Sequence, residues 1–235
     1  MRDLLILSPC FYATAEPARL MLASARHYNL HAEIYGVGQP FIPHGADAQV
    51  AALYNLMQAG KRAELVLVTD CRDVLFLAGE LDIVQKFRAF RTDLVMSCEQ
   101  GCWPPDPEVV AYFHGRDPNG YDYVNAGQYI GRWEYVEHCL KHLIDRYRGT
   151  PGADNSQGWW MQARMRGELD YVMDHKCLLF QSMTGGADSH TDVLDTGNWK
   201  RLLNRVTRSL PCSVHFNGNP GNDLPQREMY QRIFG

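Results

Sequence analysis

The chain has 235 residues, 46% hydrophobic and 21% charged, which suits one large or two small soluble domains with a real core. Lys plus Arg number 23 against 27 for Asp plus Glu, a net charge of −4 with no basic block, which counts against a large nucleic-acid surface. No stretch approaches the ~20 apolar residues of a membrane span. The start, MRDLLILSPC, has too short an apolar run for a signal peptide and an acid at Asp3, so it reads as a strand and the expected location is cytoplasmic. Seven scattered cysteines, with no second pair to complete a zinc site, suit free thiols in a reducing compartment.

Residues 4–7 form a predicted strand and 17–28 a predicted helix. A second strand, 32–35, ends at Gly36-Val37-Gly38, which lacks the third glycine of a dinucleotide fingerprint. Residues 46–60 read as a helix with Val50, Leu53, Leu56 and Met57 on one side. Residues 65–69 are a strand apolar enough to be buried on both faces. A helix over 81–90 and a strand over 94–97 follow. This alternation predicts an α/β fold with a mostly parallel sheet, whose ligands bind beyond the carboxyl ends of the strands. The second half is less regular. GCWPPDPEV is a proline-forced loop, and YDYVNAGQYIG reads as two extended pieces around Asn125-Ala126-Gly127. Helices are predicted over 133–147 and 154–166, the latter capped by Asp154 or Asn155. Residues 177–180 read as a strand, 184–200 as a polar loop and 213–216 as a last strand.

Asp70 and Asp73 sit where the third strand ends, and a carboxylate there is costly unless something pairs with it. Two hard oxygen ligands at this position can hold Mg²⁺ or Mn²⁺ and leave coordination positions for a diphosphate. Equally, Asp73 can cap a turn while Asp70 pairs with an arginine such as Arg72, and spacing alone leaves both readings open. His215 ends the last strand and is followed by Asn217-Gly218, small residues whose backbone amides suit phosphate oxygens. Trp103, on a stiff proline loop, can stack on a sugar face or simply pack. Asn125 and Gly127 suit hydroxyl recognition with the backbone close to a ligand, or an ordinary turn. Asp154 is a helix cap or a carboxylate near a reacting carbon. His138 and His142 have zinc-pair spacing but no third ligand nearby, so they read as a solvated helix face.

The segments LVLVTDCRDVLFL, SCEQGCWP, YVNAGQYIG, DNSQGWW, LDYVMDHKCLLFQSM and VHFNGNPG occur in this order. Together they resemble the glycosyltransferase domain of procollagen lysyl hydroxylases and its relatives among collagen glucosyl- and galactosyltransferases, over about residues 62–221. The resemblance implies a single GT-A domain over 1–235, with a Rossmann-like nucleotide half (about 1–100) and an acceptor half (about 101–235). It also implies a hexosyltransferase using a nucleotide-sugar donor, usually a UDP-sugar, with Mn²⁺ or Mg²⁺ and a hydroxylated acceptor. Carried across, Asp70, Asp73 and His215 are the metal ligands. Ser8, Arg72, Asn125, Gly127, Asn217 and Gly218 lie on the donor side, and Trp103 and Asp154 near the reaction centre. Three departures stand out. Arg72 replaces an aromatic that stacks on uracil, although a guanidinium plane also stacks. Asn155 and Ser156 replace acids. The lysine expected after His-x-Asn-Gly is missing from PGNDLPQ.

On this reading His215 binds as the neutral imidazole, so activity is expected to fall below about pH 6. Two other readings stay open. A nucleotide-sugar-binding module without catalysis would follow from the shortened acidic run. A nucleotidyltransferase would need a Gly-rich basic loop after the first strand, where this chain has Ser8-Pro9-Cys10-Phe11-Tyr12-Ala13-Thr14.

Overall fold

A computed structural model describes residues 2–39, 46–149, 155–183, 190–197, 199–218 and 224–235, the side chains of 46 and 47 excepted. β1 (Arg2–Pro9), β2 (Ala32–Tyr35), β3 (Ala63–Thr69), β5 (Leu94–Glu99), β6 (Tyr123–Arg132) and β7 (Val172–Met173) form one sheet in the order β2-β1-β3-β6-β5-β7. Only β6 runs against its neighbours. Alternate residues of each buried strand feed opposite cores. Leu5, Leu7, Val66 and Val68 pack with α2 (Ala46–Gln58), α5 (Trp133–Tyr147) and α6 (Ser156–Met165). Leu4, Ile6, Leu65 and Leu67 pack with α1 (Arg19–His27) and α3 (Glu80–Ala89). Both faces are covered, which is why LLIL and LVLV are unbroken apolar runs. Each such side chain contributes roughly 1.5–3 kcal/mol by leaving water.

A second, three-stranded sheet brings distant segments of the chain together. β4 (Val74–Phe76) begins directly after Asp73 and pairs antiparallel with β11 (Ser213–His215), whose other edge pairs parallel with β8 (Phe180–Ser182). α7 (Leu224–Phe234) covers this sheet through Met229 and Ile233. Among the described residues no helix is long and apolar enough to cross a membrane.

The irregular second half departs from the expectations. The last three residues of the expected proline loop, 107–109, instead begin a helix, α4 (Pro107–Phe113), capped by Asp106 Oδ1 on the amides of Glu108 and Val109. Proline at the first helical position suits a start because its missing N–H is not needed there. Residues 123–132 are one strand, but its pairing to β5 jumps between Met96↔Tyr129 and Ser97↔Asn125, so 126–128 bulge out. The strand expected over 177–180 begins only at Phe180, since Cys177 has a φ of +49°. Within 184–200, β9 (Thr191–Asp195) pairs with β10 (Lys200–Asn204) as a hairpin rather than a loop. Residues 184–189 and 198 lie outside the described residues. His138 stacks on Tyr135 and His142 pairs with Glu168, as a surface face does.

Candidate metal centre and donor cleft

Three strand pairings assemble the site. β3 and β6 match Thr69 to Gln128, so the next amide, Asp70 N–H, donates to Gly127 O at 2.8 Å. β4 and β11 match Val74 to His215, and Phe216 N–H donates to Asp73 O at 2.8 Å. β5 and β6 match Ser97 to Asn125. The acids of one turn thus meet an imidazole more than 140 residues away in sequence.

One ligand atom from each of Asp70, Asp73 and His215 lies within 4.8 Å of the other two. His215 Nε2 is 3.3 Å from both Asp70 Oδ2 and Asp73 Oδ1. Asp70 is half exposed while His215 is buried, so the group opens to solvent on one side only. Burial alone would push the His215 pKa down, but Asp73 and then Asp70 outweigh it and lift it to about 10. Burial would likewise raise the Asp73 carboxyl, and the facing imidazolium outweighs that and lowers it. Without a cation, a proton on Nε2 compensates the two acids. The donor set, two carboxylate oxygens and one imidazole nitrogen, fits a divalent ion. A β-carbon on Gly127 would overlap His215 Cε1 and lie 2.8 Å from Asp70 Oδ2, so the cradle is complete only with glycine there. A cation bound here would displace the proton that Asp73 and Asp70 favour on the ring.

A cavity of about 200 Å³ adjoins Asp70. Its walls come from Pro9, Tyr35 and Gln49 on one side and from Gly127, Asn155 and Ser156 on the other. Asn155 Oδ1 caps α6 through the amides of Gln157 and Gly158, and the start of that helix lines the cavity. Ser8 is fully buried beneath the cleft, and Pro9 lines it instead. Arg72 reaches the Tyr12 hydroxyl on the β1 side. Asn125 is buried, with Oδ1 accepting from Gly127 N–H and facing His215 Nδ1. Asn217 is held by Glu99, while the exposed Gly218 adopts φ +82°, a conformation that favours glycine. Trp103 is 63% exposed. Asp154 lies outside the described residues.

Sequence reasoning passed over Glu99, Gln157, Tyr35 and Gln49. Glu99 is 3% exposed. Its two carboxylate oxygens accept from Gln157 Nε2 and Asn217 Nδ2, each at 2.6 Å. Gln157 also donates to Trp103 O and accepts from Ala126 N–H. This buried knot ties the tryptophan loop, the start of α6, the β6 bulge and the segment after His215 to one another. The signal was present: Glu99 is an acid ending a buried strand, as Asp70 is.

The parallel-rich sheet flanked by helices, with two acids and an imidazole at its carboxyl edge, is a GT-A type α/β fold, as the likeness to a solved glycosyltransferase shows. A solved glycosyltransferase involved in glycosylation of the major capsid of PBCV-1 superposes on 98% of this chain and 100% of its own, with a TM-score of 0.54 and 13% identity. Procollagen-lysine,2-oxoglutarate 5-dioxygenase 1 of Homo sapiens is 26% identical over 227 residues, covering 92% of this chain and 30% of that protein. Procollagen-lysine,2-oxoglutarate 5-dioxygenase 2 of Mus musculus is 24% identical over 212 residues, covering 83% and 27%. The chain therefore spans under a third of the length of these curated relatives. The family model for the PLOD GT domain matches residues 4–231, and the chain belongs to that family.

Proposed function

We propose that this chain is a single glycosyltransferase domain that moves a hexosyl residue from a nucleotide-sugar donor, a UDP-sugar, to a hydroxyl acceptor. Asp70, Asp73 and His215 would hold Mn²⁺ or Mg²⁺. The observation that carries the reading is the convergence of these three side chains, with His215 Nε2 3.3 Å from an oxygen of each aspartate, on the carboxyl edge of a sheet in a member of this family. A divalent ion bound there supplies Lewis-acid stabilisation of the departing diphosphate, worth several kcal/mol.

The chain's own residues hold the reactants in place. Glycosyl transfer passes through an oxocarbenium-like state, and a weak hydroxyl nucleophile must be aligned with it. The cavity beside Asp70, at about 200 Å³, falls below the ~300–1,000 Å³ of pockets that take drug-sized ligands, which favours one monosaccharide unit. Asn155 and Ser156 present it with neutral donors and acceptors. Arg72 and Tyr12 flank the base side, and the Asn217-Gly218 backbone offers amides to phosphate oxygens. Trp103 offers an aromatic face to the acceptor, and Asp154 would be the base if the reaction inverts. On this reading about 1–100 is the nucleotide half and about 101–235 the acceptor half, with His215, Asn217 and Gly218 reaching back to the donor.

The test is a calorimetric screen of nucleotide sugars with Mn²⁺, repeated with chelator and with Asp73→Ala, followed by assay for nucleotide release. Binding that ignores both chelator and variant refutes the metal-held donor. A second reading, a nucleotide-sugar-binding module without transfer, is favoured by the neutral Asn155 and Ser156 on the cavity wall. Metal-dependent binding with no release under any acceptor would select it.

A further inference from the structure

We infer that Asn125 is a positioning residue that presents His215 Nε2 to the cation site, with Gly127 as the floor beneath the ring. This deepens the reading above and rests on it for the identity of the cation. Asn125 is 3% exposed and its Oδ1 lies 3.0 Å from Gly127 N and 3.1 Å from His215 Nδ1. A backbone N–H can only donate, so the atom facing it is the carboxamide oxygen and not the NH₂. An oxygen that accepts from Gly127 can engage Nδ1 only if Nδ1 carries a proton. A protonated Nδ1 leaves the ligating lone pair on Nε2, the atom that faces Asp70 and Asp73. Metal-binding histidines are oriented in this way by an acceptor on the second nitrogen.

The β6 bulge makes the arrangement. It lifts Ala126–Gln128 out of register with β5. One short segment thereby supplies the acceptor for Nδ1, the only side chain small enough to lie against Cε1, and the carbonyl that fixes the Asp70 amide. Asn125 is thus assigned to the imidazole through its oxygen, whereas the sequence motif suggests that it contacts the donor sugar.

The test uses the whole chain with Mn²⁺ alone, read by electron paramagnetic resonance of free Mn²⁺, and long-range ¹H–¹⁵N spectra of histidine-labelled protein, with His215→Gln assigning the signals. Circular dichroism and thermal unfolding confirm that each variant is folded. Asn125→Ala is expected to weaken Mn²⁺ binding 10–100-fold. Asn125→Asp keeps an acceptor oxygen but loses the amide donor, and is expected to bind Mn²⁺ within about threefold of the original. The His215 Nδ1 proton should be protected from exchange in the original chain and in Asn125→Asp, and should exchange rapidly with water in Asn125→Ala. Equal Mn²⁺ affinity in all three proteins, or an Asp variant as weak as the Ala variant, overturns the inference. If the original chain binds no Mn²⁺, the cation reading fails by itself. The spectra then decide the positioning role: a protected Nδ1 proton that depends on Asn125 supports it, and an unprotonated Nδ1 overturns it.

Discussion

Replacing Gly127 by alanine should collapse the candidate site and cost stability together. The added methyl would overlap His215 Cε1 and lie 2.8 Å from both His215 Nδ1 and Asp70 Oδ2. Overpacking usually costs about 1–3 kcal/mol. Here the ring has nowhere to go, since Asn125 holds one nitrogen at 3.1 Å and the two acids hold the other at 3.3 Å. Displacing it breaks a buried ionic contact, a loss that ranges over about 3–5 kcal/mol when one partner is removed outright. The half-exposed Asp70 lowers that figure, so the expected total is about 3 kcal/mol, roughly 150-fold in the folding equilibrium. Urea unfolding followed by circular dichroism measures it, and Mn²⁺ titration measures the site. Gly131→Ala is the control for overpacking alone: its methyl would lie 2.7 Å from Asp93 O and Val136 Cγ2, so stability should fall while Mn²⁺ affinity holds. Gly101→Ala, with nothing within 4 Å, should change neither. A Gly127→Ala protein within about 0.5 kcal/mol of the original and with unchanged Mn²⁺ affinity would refute the reasoning.

The raised pKa of His215 gives the metal-free protein stability that is fully present below the unfolded value of about 6.5 and lost as pH climbs through about 10, so the urea midpoints of the original and His215→Gln should converge over that range. The lowered Asp73 pKa acts at the other end: its contribution is present above the ordinary carboxylate range and fades as pH falls through the folded value. Mn²⁺ affinity should run opposite to the histidine's stability term, rising with pH because the ion displaces the Nε2 proton, and calorimetry in buffers of differing ionisation enthalpy should register that release. Glu99→Gln sets an NH₂ against the amides of Gln157 and Asn217, and should lower stability by about 1–3 kcal/mol; an unchanged urea midpoint would contradict the knot described above. Trp103→Ala removes a ring that is 63% exposed, so stability should stay within about 0.5 kcal/mol while the acceptor KM rises. A change in donor Kd would move that ring to the donor side.

The apolar runs LLIL and LVLV, alternating with helical periodicity, were enough to predict a covered parallel sheet, because burial on both faces leaves no room for polar residues within a strand. The two acids after LVLVT were legible for the same reason: a charge at the end of a buried strand stands out against its neighbours. Other features depended on pairing between remote segments, which no local pattern encodes. β4 has three residues and joins a sheet by pairing with β11, and that pairing carries His215 to Asp73. The β6 bulge is a register jump against β5, so the use of the Asn125 oxygen could not be read from YVNAGQYIG. Glu99 carries the same strand-end signal as Asp70, but its partners, Gln157 and Asn217, arrive from 58 and 118 residues away. The sequence by itself determined the layers and the acidic edge, since these follow from local periodicity and the cost of burying charge. Only the tertiary structure decided which imidazole, carboxamide and glycine close around that edge, since hydrogen bonds between distant strands set those distances.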